Sequence, residues 1–193
     1  MPIPLPMRFE DEPLLWTVPE VYTREECAAF IALIERESPE LATNNAMYRD
    51  QDRVIIDDPA TAKDLFARLR PHLPESLGPF KLHSLNERLR FYRYREGQQF
   101  SPHMDHWYRP CDTRITLLTV LAYFNHDFKG GQTRFMEQLE AEVEPEPGLV
   151  AIFQHKIRHE GCQVLQGIKY ALRTDVIYEA DDVIGQVTFQ PPT

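Results

Sequence analysis

His103 and Asp105 stand two residues apart in the stretch Tyr94-Arg95-Glu96-Gly97-Gln98-Gln99-Phe100-Ser101-Pro102-His103-Met104-Asp105. On an extended segment, residues i and i+2 project from one face. An imidazole and a carboxylate can therefore close on one cation while Met104 points away. One more imidazole would complete a two-His-one-carboxylate facial triad, which leaves part of an octahedral ion open and suits non-haem Fe(II). With 7 histidines in 193 residues, a single His-x-Asp arises easily by chance, and its bland reading is a surface turn. The rest of the chain has to supply the third ligand.

Four of the six remaining histidines, His72, His83, His106 and His126, fall in helix or loop contexts that suit solvent-exposed roles. His155 and His159 both follow the apolar run Leu149-Val150-Ala151-Ile152-Phe153. Only His159 has a cation ten residues on, Lys169, placed after the turn-forming Gly167. That spacing selects His159 and leaves His155 outside the metal shell.

The elements that must hold these residues change character along the chain. Proline at every second position from Pro2 to Pro6 forbids a helix, so the chain to about Pro19 reads as an extended arm. Thr23-Arg24-Glu25-Glu26 is a capping box, and Cys27, Phe30, Ile31 and Ile34 follow at helical spacing, predicting a helix from Thr23 to about Ser38. Leu41 to Asp52 lacks periodicity and reads as a polar loop, a solvated connection or a lid over a site. Asp58-Pro59 caps a second helix with Ala62, Leu65, Phe66 and Leu69 on one face, stopped near Pro71. From about Lys81 short β-prone runs take over: 87–94, 100–105, 114–124, 133–135, 149–153, 159–165 and 169–178. Strands at such regular spacing predict a closed sandwich or barrel.

Length and 42% hydrophobic content fit one well-filled domain over 1–193, with 1–80 as arm and supporting helices and 81–180 as the barrel core. The net charge of -9 argues against a general nucleic-acid binder. Cys27, Cys111 and Cys162 are odd in number and at no metal-ligand spacing, so they read as free thiols in a reducing compartment. The N-terminus lacks a signal-peptide core and no apolar run reaches membrane-span length, so the expectation is a soluble, cytoplasmic protein.

Several motifs together resemble the Fe(II)/2-oxoglutarate dioxygenase superfamily, in its prolyl 4-hydroxylase-like branch. Tyr94-x-x-Gly97-Gln98 leading into Pro102-His103-Met104-Asp105 resembles that branch's Tyr-x-x-Gly-Gly-Gln-Tyr-x-Pro-His-x-Asp, with Gln98 in place of the second glycine. Leu121-Ala122-Tyr123-Phe124-Asn125, Gly130-Gly131-Gln132-Thr133-Arg134-Phe135 and the spacing His159-x4-Val164-x2-Gly167-x-Lys169 follow in the family's order. The resemblance spans roughly Glu87 to Tyr178 and implies a double-stranded β-helix, a cupin-like jelly-roll barrel of about eight core strands that is mainly β with flanking helices.

It also implies roles. His103, Asp105 and His159 would bind Fe(II), with 2-oxoglutarate and dioxygen as co-substrates and ascorbate as reductant. Lys169 would hold the distal carboxylate of 2-oxoglutarate, with the Tyr94 hydroxyl beside it. Arg173, four residues on along the same strand face, is either a second cation for the co-substrate or the partner of a carboxylate inside the barrel. Thr133 offers another hydroxyl, or is simply a β-branched strand residue. Arg88, Arg90, Tyr92 and Tyr94 alternate along one strand face, and Trp107, Tyr108 and Arg109 directly follow the metal half-site. If Arg90, Tyr92, Trp107 and Tyr108 line the substrate mouth, the substrate carries a carboxylate or presents peptide carbonyls. The expected activity is hydroxylation of a prolyl or other residue in a peptide or protein. A small molecule such as a free amino acid is the alternative. A metal-dependent hydrolase or isomerase on a similar barrel would use the triad but not the cation after it, and a silent binding module would have lost a ligand.

Overall fold

In the computed structural model, which describes residues 8–41 and 50–184, the chain folds around a large antiparallel sheet. Its strands run in the order Leu15–Val18, Val150–Gln154, Arg114–Tyr123, Lys169–Glu179, Arg88–Tyr94, Asp52–Asp57, Glu40–Leu41. Phe80–Leu85 pairs with the far half of Lys169–Glu179. A smaller sheet faces it, in the order Ala141–Val143, Thr133–Phe135, His159–Gly161, Phe100–His103. Lys129–Gly130 pairs with Val164–Gln166. Mainly β, with two sheets closing as a jelly roll and helices outside, this is the predicted double-stranded β-helix.

Alternation along the strands assigns the two faces of the large sheet. Leu89, Phe91, Leu118, Val120, Ile152 and Leu172 point outward and join Ile34, Leu65 and Leu69 of the helices in the main core. The helices are α1 (Arg24–Arg36) and α2 (Pro59–Leu69), and both start where the sequence marks them. Thr23 and Glu26 form a reciprocal capping box, and the Asp58 carboxylate accepts from the amides of Ala60 and Thr61. Arg93 ties the sheet to α1: its guanidinium donates to Asp52 at 2.8 and 3.0 Å and to Glu35 at 2.8 Å. Gly148, at φ +83°, turns the chain where any Cβ would lie 2.1 Å from the Tyr22 carbonyl oxygen, so only glycine fits there.

The inward face reads off the strand register. Tyr94 pairs with Lys169, and Tyr92 with Ala171, which in turn pairs with Tyr123. Arg90 pairs with Arg173, Leu121 lies on the other side of Arg173, and Thr119 lies between Asp175 and Phe153.

The N-terminal 80 residues do more than support the barrel. Leu15–Val18 lies within the predicted arm yet pairs with Val150–Gln154, and Asp52–Asp57 pairs with Arg88–Tyr94. The predicted strand 159–165 is two strands, 159–161 and 164–166, and the predicted strand 100–105 ends at His103. The start of the arm and most of the suggested lid, Asn44 to Asp52, lie outside the described residues. Among the described residues no helix is long and apolar enough to cross a membrane.

Candidate metal centre

His103 and His159 are direct partners across the antiparallel pairing of Phe100–His103 with His159–Gly161. Their neighbouring pair is Phe100 with Gly161, so two residues, Ser101 and Pro102, oppose the single Glu160. That is a β-bulge, and it falls at a proline that has no amide to give to a ladder. The bulge has a consequence for the site. Phe100 and His103 are three apart, yet both line the interior and stack at 3.6 Å between ring centroids. Without the extra residue, one of them would face outward. Asp105 lies just past the strand, anchored by its amide to the His155 carbonyl at 2.9 Å.

The side chains of His103, Asp105 and His159 bring one ligand atom each within 4.8 Å of one another, all buried. The tautomers are set by local chemistry. Nδ1–H of His103 donates to the Ser101 carbonyl at 2.8 Å and Nδ1–H of His159 to the Ile157 carbonyl at 2.9 Å. Each ring thereby turns its Nε2 lone pair inward, 3.8 Å from one or other oxygen of Asp105. Burial pushes the His159 pKa down and keeps the ring neutral, as a ligand must be. Burial alone would raise the Asp105 pKa, but the charge of the Arg173 guanidinium works against it, and the carboxyl is held well below the usual range. Two neutral imidazoles and one ionised carboxylate on one side of an open space form the mixed nitrogen and oxygen set that suits Fe(II).

The Asp105 carboxylate is itself held at both oxygens. Arg173 Nη2 forms an ion pair with Oδ1 at 3.0 Å, and Thr119 Oγ1 donates to Oδ2 at 2.5 Å while accepting from His155 Nδ1 at 2.8 Å. Arg173 Nη2 also reaches Asp175 at 2.9 Å, and Asp175 accepts from Arg90 Nη1 at 3.1 Å. His155 is therefore behind the centre rather than in it, and burial lowers its pKa to about 4, so it stands neutral.

Inside the barrel the triad opens on a narrow cavity, which runs from His103 and His159 to Tyr94, Thr133 and Lys169. Lys169 is 3% exposed. Its ammonium donates to the Gly131 carbonyl and sits 5.2 Å from the centroid of the Tyr94 ring and 5.3 Å from that of Tyr123. Among the described residues no carboxylate lies within ion-pair distance of it, and burial pushes its pKa down to about 8. Thr133 accepts from the Tyr123 hydroxyl at 2.7 Å. A buried cation without a counter-ion, flanked by hydroxyls, is a receptor for a carboxylate that enters with a ligand.

Residues 89–174 match the model of the 2OG-Fe(II) oxygenase superfamily. The barrel belongs to that superfamily. Its oxygenases use Fe(II) and 2-oxoglutarate, and the triad described above is the His-x-Asp…His set of this chain. No curated sequence matches the chain. Solved structures do. A prolyl-4-hydroxylase from Pseudomonas putida superposes with a TM-score of 0.66 at 20% identity, over 87% of this chain and 95% of that one. A viral collagen prolyl hydroxylase from Paramecium Bursaria Chlorella virus-1 gives 0.66 at 18%, over 88% and 98%. A Trichoplax adhaerens prolyl hydroxylase, in complex with a hypoxia inducible factor peptide fragment, gives 0.65 at 15%, over 86% and 84%. At these identities the likeness is one of fold.

The oxygenase barrel divides the expected site residues into two groups. Tyr94, Thr133 and Lys169 line the inner cavity, together with Tyr92, which is buried there at 2% exposure rather than at the mouth where the sequence suggests it. Arg90, Trp107 and Tyr108 border an outer cleft on the other side of His103 and Asp105. Arg173 borders both, and its guanidinium pairs with the carboxylates Asp105 and Asp175. Gln98, the departure from the family motif, closes its turn with its own side chain. Its Oε1 accepts from the Arg95 amide at 2.7 Å and its Nε2 donates to the Asp50 carbonyl. Thr119, His155 and Asp175 carry no local sequence signal. Only the register that sets Thr119 opposite Asp175 brings them to Asp105.

Proposed function

We propose that the protein is a hydroxylase that couples oxidative decarboxylation of 2-oxoglutarate to oxygen insertion at a C–H bond of a residue in a peptide or protein, with prolyl residues the first candidates. The observation that carries this reading is the outer cleft. It is lined by His103, Asp105, Trp107, Tyr108 and Arg90, and a second cleft, lined by Arg88, Glu87, Asn86 and Asp57, shares Arg90 and Tyr108 with it. The metal ligands thus open onto a cleft that adjoins a second one, as a chain-like substrate would need. The prolyl hydroxylases of the same fold add support, one of them in complex with a peptide.

When bound, Fe(II) and 2-oxoglutarate supply the oxidising chemistry, in which dioxygen is consumed and succinate, carbon dioxide and a hydroxylated product are formed. The residues around them have separate tasks. His103, Asp105 and His159 hold the metal. Arg173 and Thr119 fix the Asp105 carboxylate so that it does not have to be ordered when metal arrives. Lys169, with Tyr94 and Thr133, binds the far carboxylate of 2-oxoglutarate. Leu121, Phe153 and Ala171 make the cavity wall apolar and limit water.

The test begins with anaerobic addition of Fe(II) and 2-oxoglutarate, which should produce the weak visible charge-transfer band of the chelate. Succinate formation is then followed with ascorbate as reductant, with and without proline-containing peptides. Succinate output that rises with peptide, together with a mass gain of one oxygen on that peptide, supports the reading. A band and basal succinate that no peptide increases would move the substrate to a small molecule.

A further inference from the structure

We propose that the substrate presents a carboxylate to the outer cleft, received by Arg90 with Arg173 behind it. This deepens the hydroxylase reading above and rests on it. Arg90 and Arg173 are register partners on adjacent strands, both on the inward face, and Asp175 is the one carboxylate between them, 3.1 Å from Arg90 Nη1 and 2.9 Å from Arg173 Nη2. Asp105 is the other anion in the cleft, and its charge is committed to the metal. In the assembled site the metal and Lys169 answer the two carboxylates of 2-oxoglutarate. Asp175 is then left facing Arg90 and Arg173, the second of which it shares with Asp105.

A third cation strengthens the imbalance. Lys156 is buried, donates to the Asp105 main-chain carbonyl at 2.9 Å and sits 4.1 Å from the centroid of the Trp107 ring, with no carboxylate at ion-pair distance among the described residues. A chain of net charge -9 therefore sets Arg90 and Arg173 in the outer cleft and Lys156 behind its Asp105 and Trp107. That sign of field draws an anion in and fits its geometry, because a guanidinium presents parallel donors to a carboxylate.

Arg90 is the member placed to meet a ligand. It borders both outer clefts, and among the described residues its side chain bonds to Asp175 through Nη1 alone, so its other donors remain for a second carboxylate. Tyr108 stands beside it at 54% exposure, yet its backbone is fastened. Its amide donates to Thr116 Oγ1 at 2.8 Å and its carbonyl accepts from the Thr116 amide at 2.9 Å. An exposed aromatic on a fixed backbone next to a guanidinium is a place for the body of a ligand whose acid group Arg90 holds.

A free amino acid, a peptide C-terminus and an acidic side chain would all supply this carboxylate, and the test separates them. The probes are the free proteinogenic amino acids, their C-terminal amides, and proline-containing peptides with free or amidated C-termini and with or without Asp or Glu. Two readouts are taken: stimulation of succinate formation, and calorimetric binding to the protein loaded with Zn(II) and 2-oxoglutarate. The expected result is that acids stimulate and bind, while their neutral counterparts do so at least tenfold more weakly. Arg90→Gln should raise the half-saturating acid concentration tenfold or more, and Arg90→Lys should restore part of it at an unchanged thermal midpoint. Equal response to acids and amides overturns the proposal. So does an unchanged acid dependence in Arg90→Gln, or the absence of response to any acid while basal succinate formation continues. Failure to form succinate at all with metal bound would instead overturn the oxygenase reading beneath it.

Discussion

Replacing Lys169 by alanine tests how this barrel recognises its co-substrate, and the structure sets the size of the effect. A carboxylate ~4 Å from the ammonium, at an effective dielectric near 20, interacts by about 4 kcal/mol before its desolvation is subtracted. A second route gives a similar figure. Burial lowers the Lys169 pKa from 10.5 to about 8, and at ~1.4 kcal/mol per unit the charged form is disfavoured by roughly 3 kcal/mol, which an entering anion can relieve. After the ligand's own desolvation, a loss of about 2–3 kcal/mol is expected, a 30- to 150-fold weaker Kd for 2-oxoglutarate. The assay is anaerobic titration of the Fe(II) protein with 2-oxoglutarate, read by the visible band, with metal content measured in parallel.

The same group dictates the pH dependence. Lys169 must be protonated to bind, so wild-type affinity should fall as pH rises above about 8, while Lys169→Arg should stay flat across that range. Folding responds in the opposite sense. The folded-state pKa lies below the unfolded value, so between about 8 and 10.5 the unfolded chain binds the extra proton, and the contribution of this group to stability rises with pH. A Lys169→Ala protein with metal bound and an unchanged Kd for 2-oxoglutarate would refute the assignment and leave Arg173 as the remaining interior cation.

Other outcomes follow from the same geometry. His159→Ala should lose metal and activity together while the fold persists, as measured by metal analysis and circular dichroism. His155→Gln should retain bound metal, because the His155 side chain reaches Asp105 through Thr119 and its main-chain bond to the Asp105 amide is kept; metal loss equal to that of His159→Ala would show that the two histidines have been assigned the wrong way round. Gly148→Ala places a Cβ against the Tyr22 carbonyl in left-handed backbone, and should cost about 3 kcal/mol or more in denaturant unfolding.

The helices and the triad were legible in the sequence because their signals are local. Thr23 with Glu26, Asp58 with Pro59, and the short spacings around His103 and His159 each fit within a dozen residues. The strands Leu15–Val18 and Asp52–Asp57 were not legible. They owe their structure to partners more than 30 residues away, and Pro13 and Pro19 around the first made it read as an arm. The bulge at Pro102 escaped for a related reason. A period-2 argument correctly paired His103 with Asp105 as ligands but ran the strand on to Asp105, whereas the strand stops at His103 and the main-chain bond to His155 places the carboxylate. Arg173 could be narrowed to two roles from its spacing to Lys169. Its pairing with Asp175 and Asp105 was not legible, because their relative position is a tertiary fact.

The pairing of His103 with His159 also bears on how long a metal stays. The two ligands come from segments 56 positions apart, and the short ladder that joins them is the pairing at one edge of the smaller sheet. An ion bound there stitches that ladder shut, so its departure and the fraying of the sheet become one event. Metal loading should therefore slow amide exchange in 100–103 and 159–161 far more than in the long strands of the large sheet, and the dwell time of the ion should follow the opening rate of those few residues rather than the stability of the whole molecule.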